Sequence, residues 1–270
     1  MVTWEQFIYF AIAAVLLWAV GAWAAWREKT ALTYTSTIIG LGVFFSFILM
    51  MWVSLERPPL RTMGETRLWY SFFLPLAGII VYSRWKYKWI LSFSTVLALV
   101  FICVNLFKPE IHSKTLMPAL QSPWFAPHVI VYMFAYAVLG VATLVAVFLL
   151  VKGKSLTPHP SPLTSHPSPL TSLDDLVYVG LAFMTIGMLF GALWAKEAWG
   201  HYWSWDPKET WAAITWFAYL IYVHYRQIPT HRPRLALWIL LISFALLQMC
   251  WWGINYLPSA QQTSVHTYSA

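Results

Sequence analysis

Three histidines stand where an imidazole could act as a metal ligand: His128, His224 and His266. Between His128 and His224, residues 199–216 read WGHYWSWDPKETWAAITW, five tryptophans in eighteen positions, with Trp194 just upstream. So much flat aromatic surface beside Asp206, Lys208 and Glu209 suits a flat apolar ligand with charged edges. The plainer explanation is an aromatic belt, since tryptophan gathers where bilayer meets water. Six tryptophans between 194 and 216 are many for a belt, and Trp199, Trp203 and Trp205 fall around a turn. The other candidates carry less. His159 and His166 belong to a tandem repeat, and His112 and His201 read as loop histidines. Cys103 and Cys250 form no C-x-x-C pair, which argues against a thiol-redox or zinc site and for two small apolar-facing side chains.

What must position these residues is a set of membrane helices. The chain is 60% hydrophobic and only 10% charged, with a mean hydropathy of +0.62, whereas a soluble domain carries about 25% charged residues. Apolar runs near the ~20 residues needed to cross a bilayer recur along its length. The pattern predicts an all-α polytopic membrane protein with about eight transmembrane helices, at 5–26, 32–54, 68–83, 89–106, 125–151, 174–194, 207–226 and 235–257. The third is the shortest. The N-terminus lacks the basic and small-residue features of a cleaved signal, so the first span is expected to stay as an anchor.

Four regions follow: 1–106, an N-terminal four-helix membrane region; 107–151, an outer loop and span five; 152–173, a Pro/Ser-rich linker; and 174–270, the tryptophan-containing membrane region with its tail. In the linker, 159–172 is HPSPLTSHPSPLTS, a perfect heptad duplication, and five prolines between 158 and 169 argue for extended chain. With both termini on one side, ten Lys/Arg lie in or beside the short loops of the opposite side, against seven on the terminal side. That bias marks the ten-residue side as cytoplasmic, with both termini and the tryptophan stretch extracytoplasmic. Outside, seven acidic groups balance seven basic ones, so the formal charge of +7 reports topology and gives no case for nucleic-acid binding.

Asp206-Pro207-Lys208-Glu209 reads as a helix start: Asp as N-cap, Pro in the first helical position, and Glu three residues after the cap to close a capping box. Span seven therefore begins at about 207, and the tryptophans before it lie at the outer surface.

Residues 199–211, W-G-x-x-W-x-W-D-x-K-E-x-W, resemble the WWD signature of the haem-handling proteins of cytochrome c biogenesis. The continuation AAITWFAYLIYVHYR, the stretch PALQSPWFAPHVIVYMFAYAVLG at 118–140 and the tail VHTYSA at 265–270 are similar to the CcsA (ResC) branch of System II. The likeness covers roughly the C-terminal 150 residues apart from the linker. It implies haem b, as substrate and ligand, held through one or two imidazoles. His128, at the outer start of span five, and His266, nine residues beyond span eight, map onto the family's two external haem-ligating histidines. Either has a simpler reading, a helix-end histidine bonded to backbone and a residue of a loose tail.

His224 lies 17 residues after Pro207, about 25 Å along a helix rising ~1.5 Å per residue. It cannot share an iron with the outer pair. An ionisable residue within a span is a functional candidate, and the resemblance assigns it a membrane-embedded haem ligand. Trp199, Trp203, Trp205, Asp206 and Trp211 complete the implied haem site, while Lys208, Lys196 or Arg67 are the cations available to the propionates.

The implied protein is a subunit of a holocytochrome c synthase in the cytoplasmic membrane. It moves haem across and presents it outside by bis-His ligation for thioether attachment to an apocytochrome c carrying C-x-x-C-H. It contributes position and iron ligation, and no catalytic dyad is visible. A CcsB-type membrane partner is expected, and that partner is one source of a second ligand opposite His224. Membrane lipid is the remaining contact. The competing readings are a CcmC-like haem chaperone, a b-type electron-transfer subunit and a structural membrane subunit. The second needs facing histidine pairs within the helices, and only His224 lies there. The third leaves the coincidence of WWD motif, His128 and His266 without a reason.

Overall fold

In the computed structural model, residues 3–108, 122–152 and 169–257 are described, and they hold eight long helices and no strand. These are α1 (Phe7–Trp26), α2 (Thr30–Leu55), α3 (Met63–Trp85), α4 (Lys88–Phe107), α5 (Phe125–Lys152), α6 (Pro169–Trp199), α7 (Pro207–Gln227) and α8 (Pro233–Trp251). His112, His159, His166 and His266 lie outside the described residues, as do the tail and most of the linker. Six helices (α1, α2, α4, α5, α6 and α8) are long and apolar enough to cross a membrane. At 23 and 21 residues, α3 and α7 are also long enough at ~1.5 Å per residue. They are less apolar because charged groups sit within them: Glu65, Arg67 and Arg84 in α3, and Lys208, Glu209 and Arg226 in α7.

The chain divides into two compact units, residues 1–120 and 121–270. In the first, α1 packs on α2, α2 on α3, α3 on α4, and α4 back on α1. In the second, α5, α6, α7 and α8 follow the same order, with α8 returning to α5. Each unit is thus a ring of four helices; short loops favour antiparallel neighbours in the first, and in the second α5 and α6, joined by a longer linker, run antiparallel with Gly180, Gly187 and Gly191 facing Leu139, Tyr132 and His128. Phe7, Trp18, Phe44 and Phe47 are fully buried in the first ring and meet at ring separations of 5.0–5.9 Å. Residues facing outward, among them Ile12, Leu16, Ile38, Ile39 and Val53, are as apolar as the core. That inversion of the soluble pattern is what a lipid-facing surface requires.

The third helix of each ring begins in the same way. Thr62 caps α3 by accepting from the Glu65 amide at 3.1 Å, and Glu65 accepts in return from the Thr62 amide at 3.2 Å. The buried Glu65 carboxylate also takes the Arg61 amide at 2.6 Å and a bidentate pair from Arg57 at 2.9 Å each. Asn105 of α4 donates to the Gly64 carbonyl, and Trp69 donates to the Pro59 carbonyl, closing the loop over the helix end. The expected start of this span at 68 is therefore corrected to 63. A reading by apolarity misses the first turn, because its polar residues are there to satisfy amides that have no helical partner.

Three further boundaries differ from expectation by five residues or more, among them the end of α6, at Trp199 where 194 was expected. α6 begins at Pro169, so the last residues assigned to the linker are helical. Proline in the first helical position forfeits no hydrogen bond, and Leu170, Ser172 and Leu173 are buried from there on. At the other end, α8 stops at Trp251, six residues before the expected 257, and the chain turns through a short 3-10 segment at Gly253–Tyr256.

Glu65 is the buried member of its ion pair, with 3% of its side chain exposed against 13% for Arg57. Removing one partner of such a pair leaves a buried charge uncompensated and costs about 3 kcal/mol. Glu65→Ala should lower the thermal midpoint in detergent by several degrees, whereas the exposed neighbour Glu56→Ala should leave it unchanged; equal midpoints would show that the pair carries no such weight.

Candidate functional site

The start of α5 is built around Ser122, whose hydroxyl accepts from the Trp124 amide at 3.2 Å and donates to Glu197 at 2.7 Å. Pro127 falls in the first turn, where a missing N–H costs nothing. His128 then joins the helical ladder, its amide donating to the Trp124 carbonyl at 3.1 Å. The half-buried imidazole turns toward α6. Its Nδ1 lies 2.8 Å from the Gly187 carbonyl, 59 residues on in the chain. A carbonyl oxygen can only accept, so Nδ1 carries the proton, and in the neutral ring the lone pair belongs to Nε2.

Aromatic faces enclose the ring. Tyr132, one turn along, meets it edge-on at 4.8 Å, and Trp194 leans over it at 5.5 Å with 33° between planes. Trp194 is 3% exposed and touches Phe125 and Trp199, each at 5.0 Å. α5 and α6 come close because three positions on α6 lack a side chain. A Cβ at Gly180 would lie 2.6 Å from Leu139, one at Gly187 2.5 Å from Tyr132, and one at Gly191 2.8 Å from the His128 ring.

The tryptophan-rich loop turns at two left-handed residues, Gly200 at φ +86° and Trp205 at φ +59°. For a bulky residue that conformation costs about 1–3 kcal/mol and persists only where surrounding bonds hold it. Here they do. Asp206 accepts from the Glu209 amide at 2.9 Å, the capping box expected from the sequence. The Glu209 carboxylate accepts the Asp206 amide at 3.3 Å, the Ser204 amide at 2.7 Å and the Ser204 hydroxyl at 3.2 Å. Thr210 donates to the Trp205 carbonyl, and Lys196 donates to the Gly200 carbonyl while lying over the Tyr202 ring. Asp206 and Glu209 are each 8% exposed, so the loop is tied down from within. Trp205 is left 70% exposed, with Trp203 edge-on to it at 5.7 Å.

The structure brings Trp199 to the aromatic group around His128 through Trp194. Trp203 and Trp205 form a separate pair, and Trp211 is half-buried on α7. His201 is exposed in the loop. Of the cations considered for propionates, Lys196 is engaged at Gly200, Lys208 is half-buried in the first turn of α7, and Arg67 is buried in the first unit.

α7 runs unbroken from Pro207 to Gln227, so His224 stands about 25 Å of helix from the tryptophan loop. It is exposed, and its Nδ1 contacts the Leu220 carbonyl at 2.9 Å, which again leaves the lone pair of the neutral ring on Nε2. Close by, Arg226 pairs bidentately with Asp174 of α6 at 2.8 and 2.6 Å and contacts His231. Tyr222 donates to the same aspartate at 2.8 Å. This network has no local signal, since Asp174 and Arg226 are 52 residues apart. Gly187-x-x-x-Gly191 is the other part without a place in the sequence reading, while Trp194, counted there among the six tryptophans, proves to be the buried one beside His128. The glycine spacing, a small-residue motif of packed membrane helices, was the available sign.

A polyaromatic wall around an imidazole with its Nδ1 proton committed to a carbonyl fits a haem ligand, whose other nitrogen must be the donor. A cap and loop locked by one carboxylate give a direct check. Replacing Glu209 with Ala should speed amide hydrogen exchange at Ser204 and Asp206 by about tenfold or more, the loss of roughly one buried hydrogen bond each. Unchanged exchange would remove Glu209 as the lock.

Residues 62–260 match the model of the cytochrome C assembly protein family. The cytochrome c biogenesis protein CcsA of Chlamydomonas reinhardtii is 33% identical, over 82% of this chain and 64% of its own length. That of Atropa belladonna is 33% identical over 88% of this chain and 86% of its own. That of Marchantia polymorpha is 30% identical over 86% and 87%.

Proposed function

The chain belongs to the cytochrome c assembly protein family, and from that premise we propose that it is the haem-handling subunit of a cytochrome c synthetase. A role in cytochrome c biogenesis, with haem and an apocytochrome c as the molecules involved, comes with the family. The finer reading is that haem b is carried across the cytoplasmic membrane and held on the extracytoplasmic face between His128 and His266. The observation that carries it is the His128 imidazole, anchored through Nδ1 on the Gly187 carbonyl and walled by Trp194 and Tyr132.

In this reading each group has a separate task. His128 and His266 hold the iron, and Trp199, Trp203, Trp205 and Trp211 offer apolar surface to the macrocycle and keep water from it. Asp206 and Glu209 work at one remove, fixing the loop that carries two of those indoles. The haem supplies two vinyl groups to which the thiols of a C-x-x-C-H acceptor add. The protein supplies proximity and orientation, which suffice to raise the rate of a reaction between two held partners. His224, exposed at the far end of α7, would take haem within the membrane, and its position on an open face leaves room for a CcsB-type partner to complete the coordination.

The test is the absorption spectrum of the purified protein, co-expressed with its partner, beside His128→Ala and His266→Ala. Haem content should fall on the order of tenfold in each variant and return with added imidazole, the response of a site that has lost a ligand. Haem that is absent from the parent protein, or retained at the parental level in both variants, would overturn the outer bis-His site. His224→Ala should reduce the amount of haem loaded without changing the spectrum of what remains.

A further inference from the structure

We infer that the Gly187–Gly191 turn of α6 is the positioning element for His128, setting which ring nitrogen donates and where it points. The inference rests on the reading of His128 as a haem ligand and deepens it. Two contacts of different kind act on one ring. The Gly187 carbonyl, 2.8 Å from Nδ1, accepts the Nδ1 proton with the lone pair left over from its own helical bond, since a carbonyl has two. That commits the tautomer to an Nε2 donor and fixes the orientation of the ring. Gly191 supplies space: a Cβ there would lie 2.8 Å from both Cε1 and Nδ1, closer than such atoms come without something moving. Cε1 joins the two ring nitrogens, so a push on it tilts Nε2 and lengthens the bond to Gly187 together.

The ring has little room to give. Trp194, 3% exposed, leans over it, and Tyr132, itself wedged where Gly187 has no side chain, closes the edge. Alanine is a better helix former than glycine, so a methyl at 191 would favour α6 and disturb only what faces it. Gly180 provides the matching control. It lies on the same α5–α6 contact, and a Cβ there meets Leu139 at 2.6 Å, away from His128.

The experiment compares Gly191→Ala with Gly180→Ala in the full chain co-expressed with its partner. With haem bound, Gly191→Ala should lower retained haem about tenfold, the usual size of a loss behind a ligating histidine, with recovery on adding imidazole; Gly180→Ala should retain parental haem at a comparable thermal midpoint. In the haem-free protein with 15N-labelled histidine, His128 should show a proton on Nδ1 and a bare Nε2 in the parent and in Gly180→Ala, and lose that fixed pattern in Gly191→Ala. A proton fixed on Nε2 in the parent, or the same haem loss in both glycine variants, would overturn the inference. If His128→Ala leaves haem untouched while the 15N pattern is as expected, the ligand reading fails and the positioning of the ring stands.

Discussion

A bilayer offers no water to a backbone amide, and that one constraint arranges everything in this molecule. Within the hydrocarbon, the helix answers it by pairing each N–H internally. At the helix ends it has to be answered again, and there the chain spends its few charged side chains. Glu65 and Glu209 are buried carboxylates that would be costly in the middle of a span. At the third helix of each ring they collect amides that have no helical partner: Arg61 and Thr62 in one case, Ser204 and Asp206 in the other. Among the described residues the polar chemistry is therefore concentrated at helix ends, and in the second unit His128 and the tryptophan-rich loop sit beside such points.

The second unit shows how one such point becomes a functional surface. The Glu209 lock holds a loop with a left-handed tryptophan at its tip, so the cost of exposing Trp205 is met inside the loop by hydrogen bonds. The imidazole of His128 is held differently, by close packing. Lipid tails are as apolar as side chains, so helices in a membrane associate through shape and short polar contacts. α5 and α6 meet where Gly187 and Gly191 remove bulk, and the same approach brings a backbone carbonyl to His128. Packing and chemistry are one arrangement here. At the opposite end, the Asp174–Arg226 pair and the Tyr222 hydroxyl bind α6 to α7 beside His224.

Much of this was legible before any coordinates. Apolar runs near twenty residues long locate helices whatever packs against them, because the length is set by the bilayer. Asp206-Pro207-x-Glu209 could be read as a cap because its bonds span three residues. Thr62-x-x-Glu65 has the same form but was hidden, since a hydropathy reading starts where apolarity starts, at 68, and the cap lies just before. Crowded prolines point to linker, yet the first turn of a helix accepts Pro169.

What the sequence determined by itself is whatever depends on residues near one another in the chain: the helices, their caps, the side-to-side charge bias, and a tryptophan-rich stretch that resembles the WWD signature of a known family. Tertiary structure alone decided which of those residues meet. His128 and Gly187 are 59 positions apart, and Asp174 and Arg226 are 52. The spacing Gly187-x-x-x-Gly191 says that some helix comes close there, and says nothing of which side chain that helix will bring. The reason is geometric: a local pattern constrains the few ångströms around it, while the partner across a helix interface is chosen by the registry of two whole helices packed together.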